Sequence, residues 1–467
     1  MRHLPASGFN TRGRMLSRTR SLVAPAYLFA CLLLGGSAQG IWQNMLLQLG
    51  GLAILGWAAL DRADEPLARS ATQLLLIAIA GLAFVAVQMM PLPPDVWEQL
   101  GPRAKIAEGF AALGIARPWQ PISLDPASGL DASLKIIPPL ALFCAIVRLK
   151  AFRAKLLAAA LIAGALAGVL LGALQVASGD PVNSHWYLYD QTNPGKAVGF
   201  FANADHMATL LVATIPFIAA AVAAGAGRSL QRRAALLASG AAIGLILVIG
   251  VALNGSLAGY VLAPAVLAAS ALIVLPRRSH LRLWALIGAA LLLLGAVIAL
   301  QVTPIGSARV GEHARSAVQS RGEILSTTSR AVADFMPTGS GLGSFRSVYQ
   351  LYERPDQVTS IYVVHAHNDY AEIALELGLA GVVLMLLFLV WWGAAAWRAW
   401  SSRQANPFAR AAAIASGAIL VHSLVDFPLR TTAVAACFGM CLALLAGGRS
   451  APRKEEEELR PTRNLVI

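Results

Sequence analysis

Charge is what this chain has least of. Only 13% of its 467 residues are Asp, Glu, Lys or Arg, about half of the roughly 25% found in soluble domains. A soluble globular fold is excluded on that ground. Cysteine is equally sparse. The four present (Cys31, Cys144, Cys437, Cys441) all fall inside apolar runs, so neither a disulfide framework nor a zinc spacing follows from them. They read as small apolar packing residues. A Walker loop, a dinucleotide fingerprint and a zinc-protease motif are also missing from the sequence, and with them the motif-based case for those chemistries. No internal repeat argues for an inverted-repeat transporter.

Apolar sequence fills the chain instead. It is 57% hydrophobic with a mean hydropathy of +0.63, which predicts an all-α, polytopic integral membrane protein. Crossing about 30 Å of hydrocarbon takes roughly 20 helical residues. On that length the runs predict about twelve transmembrane helices, near 21–38, 41–60, 70–90, 132–148, 156–177, 206–226, 234–253, 257–275, 283–303, 371–396, 409–427 and 431–447. Residues 1–20 carry Arg2, Arg12, Arg14, Arg18 and Arg20 and no acid. The small residues from Gly35 to Gln39 would suit signal cleavage, but a second apolar run follows at once, so 21–38 reads as an uncleaved first span. The organisation is then a basic N-terminus (1–20), an N-terminal bundle (21–194) with an outer loop at 91–131, a core (195–447) holding a large loop at 304–370 between helices 9 and 10, and a charged tail (448–467).

The net charge of +13 suggests no nucleic-acid partner. Of the 37 Lys and Arg, 25 lie in segments that alternate to one side of the predicted spans. Basic residues mark the cytoplasmic side and favour contact with anionic membrane lipids. Both termini are therefore expected in the cytoplasm, and the long loops (91–131, 178–205, 304–370) on the outer face. Trp97 and Trp119 would rest at the interface of the first of these.

The polar interval from Pro304 to Glu376 stands out. It carries six arginines (Arg309, Arg315, Arg321, Arg330, Arg346, Arg354) and the run His365-Ala-His-Asn-Asp-Tyr370. His365 and His367 are two apart and share no helix face, so this stretch is extended or turned before a helix begins. Asn368 and Asp369 suit an N-cap. His367 then stands just before a helix N-terminus, where the dipole keeps an imidazole neutral, as a general base requires. No third ligand at a sensible spacing argues for a metal. Arginine suits a diphosphate, which it can grip by two parallel hydrogen bonds; ion pairing with the acids of the loop is the blander reading. Lys196 could add a point charge. The segment Gly339-Ser-Gly-Leu-Gly-Ser-Phe345 could cradle a phosphate or be a plain turn. Glu372 and Glu376 share a helix face, as do His422 and Asp426, which could hydrogen bond to each other.

At these residues the chain resembles a known family. Arg321-Gly-Glu-Ile, Pro337-Thr-Gly-Ser-Gly-Leu-Gly-Ser-Phe345, His365-Ala-His-Asn-Asp-Tyr-Ala-Glu-Ile-Ala-Leu-Glu-Leu-Gly-Leu-Ala-Gly381 and His422-Ser-Leu-Val-Asp-Phe-Pro428 look like the signature core of the O-antigen ligase and polysaccharide polymerase (Wzy-type) superfamily. Gly199-Phe-Phe-Ala-Asn203 and His206 resemble its upstream signature. The resemblance covers roughly 195–445. It implies a metal-independent, inverting glycosyltransferase without a cofactor. Such an enzyme moves glycan from an undecaprenyl-diphosphate carrier to a hydroxyl of lipid A core, or of a growing O-antigen or exopolysaccharide. His367 would be the base and Arg321 the diphosphate holder, with Lys196, Arg315, Arg346, His365 and Asn368 about the substrate. One position departs: leucine at Leu257 stands where many members carry arginine, so Lys196, Arg309 or Arg315 would supply that charge. A transporter for an anion or a lipid-linked sugar is the alternative, and scarce mid-membrane charge argues against it.

Overall fold

The computed structural model describes residues 9–447, except 62–65, 150–152, 181–182, 226–228, most of 276–310, 356–357, 359–361 and 403–405; side chains at 9–18 and 311–319 also lie outside the described set. In chain order the helices are α1 (Phe9–Leu34), α2 (Trp42–Leu60), α3 (Arg69–Gln88), α4 (Pro94–Trp97), α5 (Arg103–Ala112), α6 (Pro126–Leu134), α7 (Ile137–Val147), α8 (Ala154–Ala177), α9 (Ala204–Gly225), α10 (Leu230–Asn254), α11 (Leu257–Val274), α12 (Gly311–Phe335), α13 (Phe345–Tyr352), α14 (Asp369–Ser401), α15 (Pro407–His422) and α16 (Thr432–Ala446). Two residue pairs, Pro91–Leu92 and Gln120–Pro121, form a short antiparallel ladder.

Eight helices among the described residues are long and apolar enough to cross a membrane, and α1 (from Thr19), α15 and α16 are shorter apolar helices. This supports a multi-pass membrane protein. The expected span at 283–303 lies almost wholly outside the described residues. The expected span at 132–148 falls almost wholly within one of these eight, Pro126–Val147, which is interrupted at Lys135–Ile136 just before Pro138 and Pro139, prolines that fit a first helical turn. The expected span at 409–427 stops at His422, and the chain turns through Ser423–Asp426. The four cysteines are free and sit within helices.

The core forms where small side chains let helices close up. α9 is buried along most of its length, against α10, α11 and the alanine-rich α15. Leu210, Leu211, Phe217, Ala411, Ala415 and Ile419 fill that contact. By contrast α3 and the middle of α14 expose Leu76, Ile79, Leu386, Leu387 and Val390, as a lipid-facing surface does.

The loops gather at one end of the bundle and are built, not draped. Arg103 is fully buried and donates to the carbonyls of Leu100, Ile122 and Gly339. Burial without a carboxylate pushes its guanidinium down to about 10. Trp97 is buried too, with its indole donating to Pro121, so it is a packing residue where an interface anchor was expected; Trp119 is exposed.

The glycine-rich turn docks on a break in α14. Gly378 has φ +59 and ψ −146 inside that helix. A Cβ there would lie 2.2 Å from the Pro337 carbonyl oxygen, and one at Gly339 2.4 Å from the Glu376 carbonyl oxygen. Only glycine permits both the dihedral and the approach. The turn's backbone N–H groups are spent internally: Ser340 on Leu375, Gly341 on Glu376, Leu342 on the Gln88 side chain, Phe345 on the Glu376 carboxylate. A phosphate cradle would need those donors free, so the plain-turn reading holds.

Candidate active site

The base candidate is set by the chain reversal before α14. Asn368 caps that helix, its side chain accepting from Ala371 N–H at 3.0 Å. Glu372 reaches back and accepts from Ala366 N–H and from His365 Nδ1, both at 2.9 Å. Held between these contacts, His367 has φ +50, and it is the sole non-glycine residue with positive φ among the described residues. Strain of this kind is kept where the surroundings over-determine it.

His367 Nδ1 meets Asp426 Oδ1 at 3.0 Å. Asp426 is fully buried and the His367 side chain is 26% exposed. Burial alone would push the Asp426 carboxyl up. The His367 hydrogen bond, with His206 and His422 beside it, outweighs burial and holds the group well below the usual carboxylate range. An ionised carboxylate only accepts, so Nδ1 carries the proton and the lone pair sits on Nε2. Nε2 makes no hydrogen bond among the described residues. An imidazole oriented this way, with one nitrogen open, can take a proton from a substrate.

Three imidazoles surround one ring. Phe427 lies 5.0 Å from His206, 4.3 Å from His365 and 4.9 Å from His367, centroid to centroid. His206 and His422 approach the other Asp426 oxygen at 3.8 and 3.9 Å. Those are not hydrogen bonds, so the expected His422–Asp426 bond is not made; His367 takes its place. His422 bonds instead through Nδ1 to Thr209 Oγ1 at 2.6 Å, and that hydroxyl gives its one proton to the Asp205 carbonyl.

Arg321 reaches the same cluster from α12. Its Nη2 lies 2.8 Å from Asp205 Oδ2, in the first turn of α9 and next to His206. Ser256 donates to the other Asp205 oxygen at 2.5 Å while capping α11. The route from Arg321 to His367 is thus Asp205, the adjacent His206, and Asp426. One N–H of Arg321 is spent on Asp205, and its other four donors make no hydrogen bond among the described residues. Leu257 sits just beyond Ser256, as the first residue of α11.

A second charged group supports the first. Arg430 lies 3.4 Å from Asp369, 3.1 Å from Glu372 and 3.7 Å from Glu376, and these carboxylates are nearly or fully buried. Burial lowers the affinity of Arg430 for its proton, but the three acids outweigh it and hold the guanidinium above its ordinary value.

The remaining sequence candidates fall unevenly. Asn368 spends its amide on the cap and on the Leu424 carbonyl. Lys196 is exposed on the loop whose Ala197 carbonyl accepts from Asn254, and it makes no ion pair among the described residues. Arg346 is exposed and stacks over Tyr362 at 5.0 Å. Arg315 belongs to α12, but its side chain, like all of Arg309, lies outside the described residues. No group of three His, Cys, Asp or Glu among the described residues is arranged to hold a metal. Sequence reasoning missed Asp205 and Arg430; both flank quoted motifs, so charge beside a motif was the available signal.

Comparison with protein families matches residues 242–386 to the O-antigen ligase family. No curated protein matches the chain. The matched segment holds both Arg321 and His367. Residues 242–386 are thus similar to the O-antigen ligase family, and they lie in a chain with the apolar helices of a multi-pass membrane protein.

Proposed function

We propose that this protein is an inverting glycosyltransferase acting on the periplasmic face of the bacterial inner membrane. It moves glycan from an undecaprenyl-diphosphate carrier to an acceptor hydroxyl. One observation carries the reading: His367 presents an open Nε2, with Nδ1 fixed by buried Asp426, in the cluster that holds Arg321.

The step balances in a single displacement. His367 Nε2 takes the proton of the acceptor hydroxyl. The acceptor oxygen forms a bond to the anomeric carbon from the face opposite the leaving group. The bond from that carbon to the diphosphate oxygen breaks, and the diphosphate departs with the electron pair. Arg321 takes up the charge that develops there, with Lys196 close to the same helix starts; this electrostatic part is the larger share of the barrier lowering. Asp426 stabilises the imidazolium formed at His367.

Ligation to lipid A core and polymerisation of repeat units share this chemistry and differ in the acceptor. The buried charges gather at the loop-bearing end of the bundle, which favours an enzyme over a transporter. Purified protein assayed with a polyprenyl-diphosphate glycan, against lipid A core and against free repeat units, tests both points. His367→Ala is expected to lower transfer by about 10²–10⁴-fold while leaving membrane insertion unchanged. Transfer at the wild-type rate by that variant would rule out the assigned base.

A further inference from the structure

A cavity of about 570 Å³ lies at the end of the bundle far from His367, between α3, α14, α15 and α16. That volume is within the roughly 300–1,000 Å³ of small-ligand sites. Small side chains create it: Ala68, Ala395, Ala399, Ala409 and Ala446 form much of the wall. The polar groups at the wall are Arg69, Ser70 and Arg398. Arg398 donates to Ser70 Oγ at 3.0 Å, and the Trp391 indole donates to the Ser70 carbonyl at 2.9 Å. Neither Arg69 nor Arg398 forms an ion pair with a carboxylate among the described residues. Two guanidiniums with no carboxylate partner among the described residues, at the edge of this chamber, are complementary to a phosphate.

An apolar groove of about 450 Å³ begins one turn away along the same helices. Ser70 lines the chamber and Leu74 the groove; Leu445 lines the chamber and Leu442 the groove. Four residues are roughly 6 Å of helix. The two spaces together have the form of a charged head on an apolar tail.

We infer that this chamber binds the phosphate headgroup of an anionic glycerophospholipid of the cytoplasmic leaflet, with an acyl chain lying in the groove between α3 and α14. The lipid is not the glycan donor. Its phosphate would sit some 30 residues along α14 from His367, roughly 45 Å of helix. The lipid would fill the space that α3 shares with α7, α14 and α16. The inference is independent of the transferase reading.

Native mass spectrometry of the full chain in detergent tests it, with dioleoyl phosphatidylglycerol against dioleoyl phosphatidylcholine. Wild-type protein is expected to retain one phosphatidylglycerol per chain, preferred by about 10- to 30-fold, as two arginines near the phosphate would give. Arg69→Gln with Arg398→Gln should remove the preference. Arg153→Gln with Lys155→Gln, at the same end but off the chamber, should keep it, and so should Arg69→Lys with Arg398→Lys. Millimolar inorganic phosphate should not displace the lipid. The inference is overturned if wild-type protein shows no preference, if the glutamine pair keeps it, if the Arg153 and Lys155 pair loses it equally, or if inorganic phosphate empties the site. Should the glutamine pair fail to fold, the wild-type competition and the lysine pair decide the matter alone.

Discussion

His367 Nδ1 and Asp426 Oδ1 are 3.0 Å apart across 59 residues of sequence. The contact fixes which ring nitrogen holds the proton, so Asp426 should matter to transfer as much as the base itself. In Asp426→Asn an amide N–H₂ can face Nδ1 and drive the proton to Nε2, where it blocks the base. Transfer is expected to fall by about 10²–10⁴-fold with donor binding little changed. Single-turnover assays with saturating donor check this. A wild-type rate would mean that tautomer control lies elsewhere.

Arg321 offers a fork and Asp205 aims it. Arg321→Lys replaces the fork with a point charge and should cost about 10²-fold in transfer. Asp205→Asn keeps the shape but weakens the aim, for a loss of about tenfold. The pair measured as a double-mutant cycle should be non-additive, since the two side chains act as one unit.

The acidity of Asp426 gives a pH prediction. Its folded value lies below the unfolded value of about 3.9. A depressed carboxyl contributes stability that is complete above the unfolded value and is lost as pH falls through the folded one. The stability difference between wild-type protein and Asp426→Asn should therefore not shrink between pH 8 and pH 5. It should shrink only below about pH 4. Unfolding in detergent across that range measures it, and shrinkage near pH 6 would contradict the pairing.

Arg430 neutralises a buried acidic trio. Arg430→Met would strand Asp369, Glu372 and Glu376 without a cation, at an expected cost of about 3–5 kcal/mol. Thermal unfolding in detergent should show a clear drop. Normal stability in this variant would show that protonation of the acids already does the neutralising.

Gly378 holds the turn against α14. In Gly378→Ala a Cβ would overlap the Pro337 carbonyl oxygen. The expected loss is about 1–3 kcal/mol from the dihedral alone, with more from the displaced turn. Limited proteolysis near 336–345 should quicken.

Much of this was legible in the sequence, because a lipid solvent leaves few choices: apolar length gives helices, and polar clusters give ends. The capping role of Asn368 followed from residue type, as did the bend at His365–His367. What sequence could not give was pairing. Asp426 reads as the helical neighbour of His422, four residues on, yet a turn after His422 carries its carboxylate to His367 instead. Arg430 reads as one more loop cation until the fold brings three acids around it. The phosphate-cradle option for Gly339–Ser344 failed for a similar reason, since the partners of those N–H groups lie on α3 and α14. The double proline at Pro138 and Pro139 marks a short interruption within the apolar stretch Pro126–Val147.

The reversal at Ser423–Asp426 has a consequence in time. A ribosome releases Arg321 and His367 well before it makes Asp426 and Arg430. Until α15 and α16 are threaded, the nascent chain holds an unpartnered histidine and three acids without their guanidinium. The Asp426 and Arg430 partners thus arrive only with the α15–α16 hairpin, and a chain stopped at Ser401 would hold Arg321 and His367 without the carboxylate that orients the imidazole.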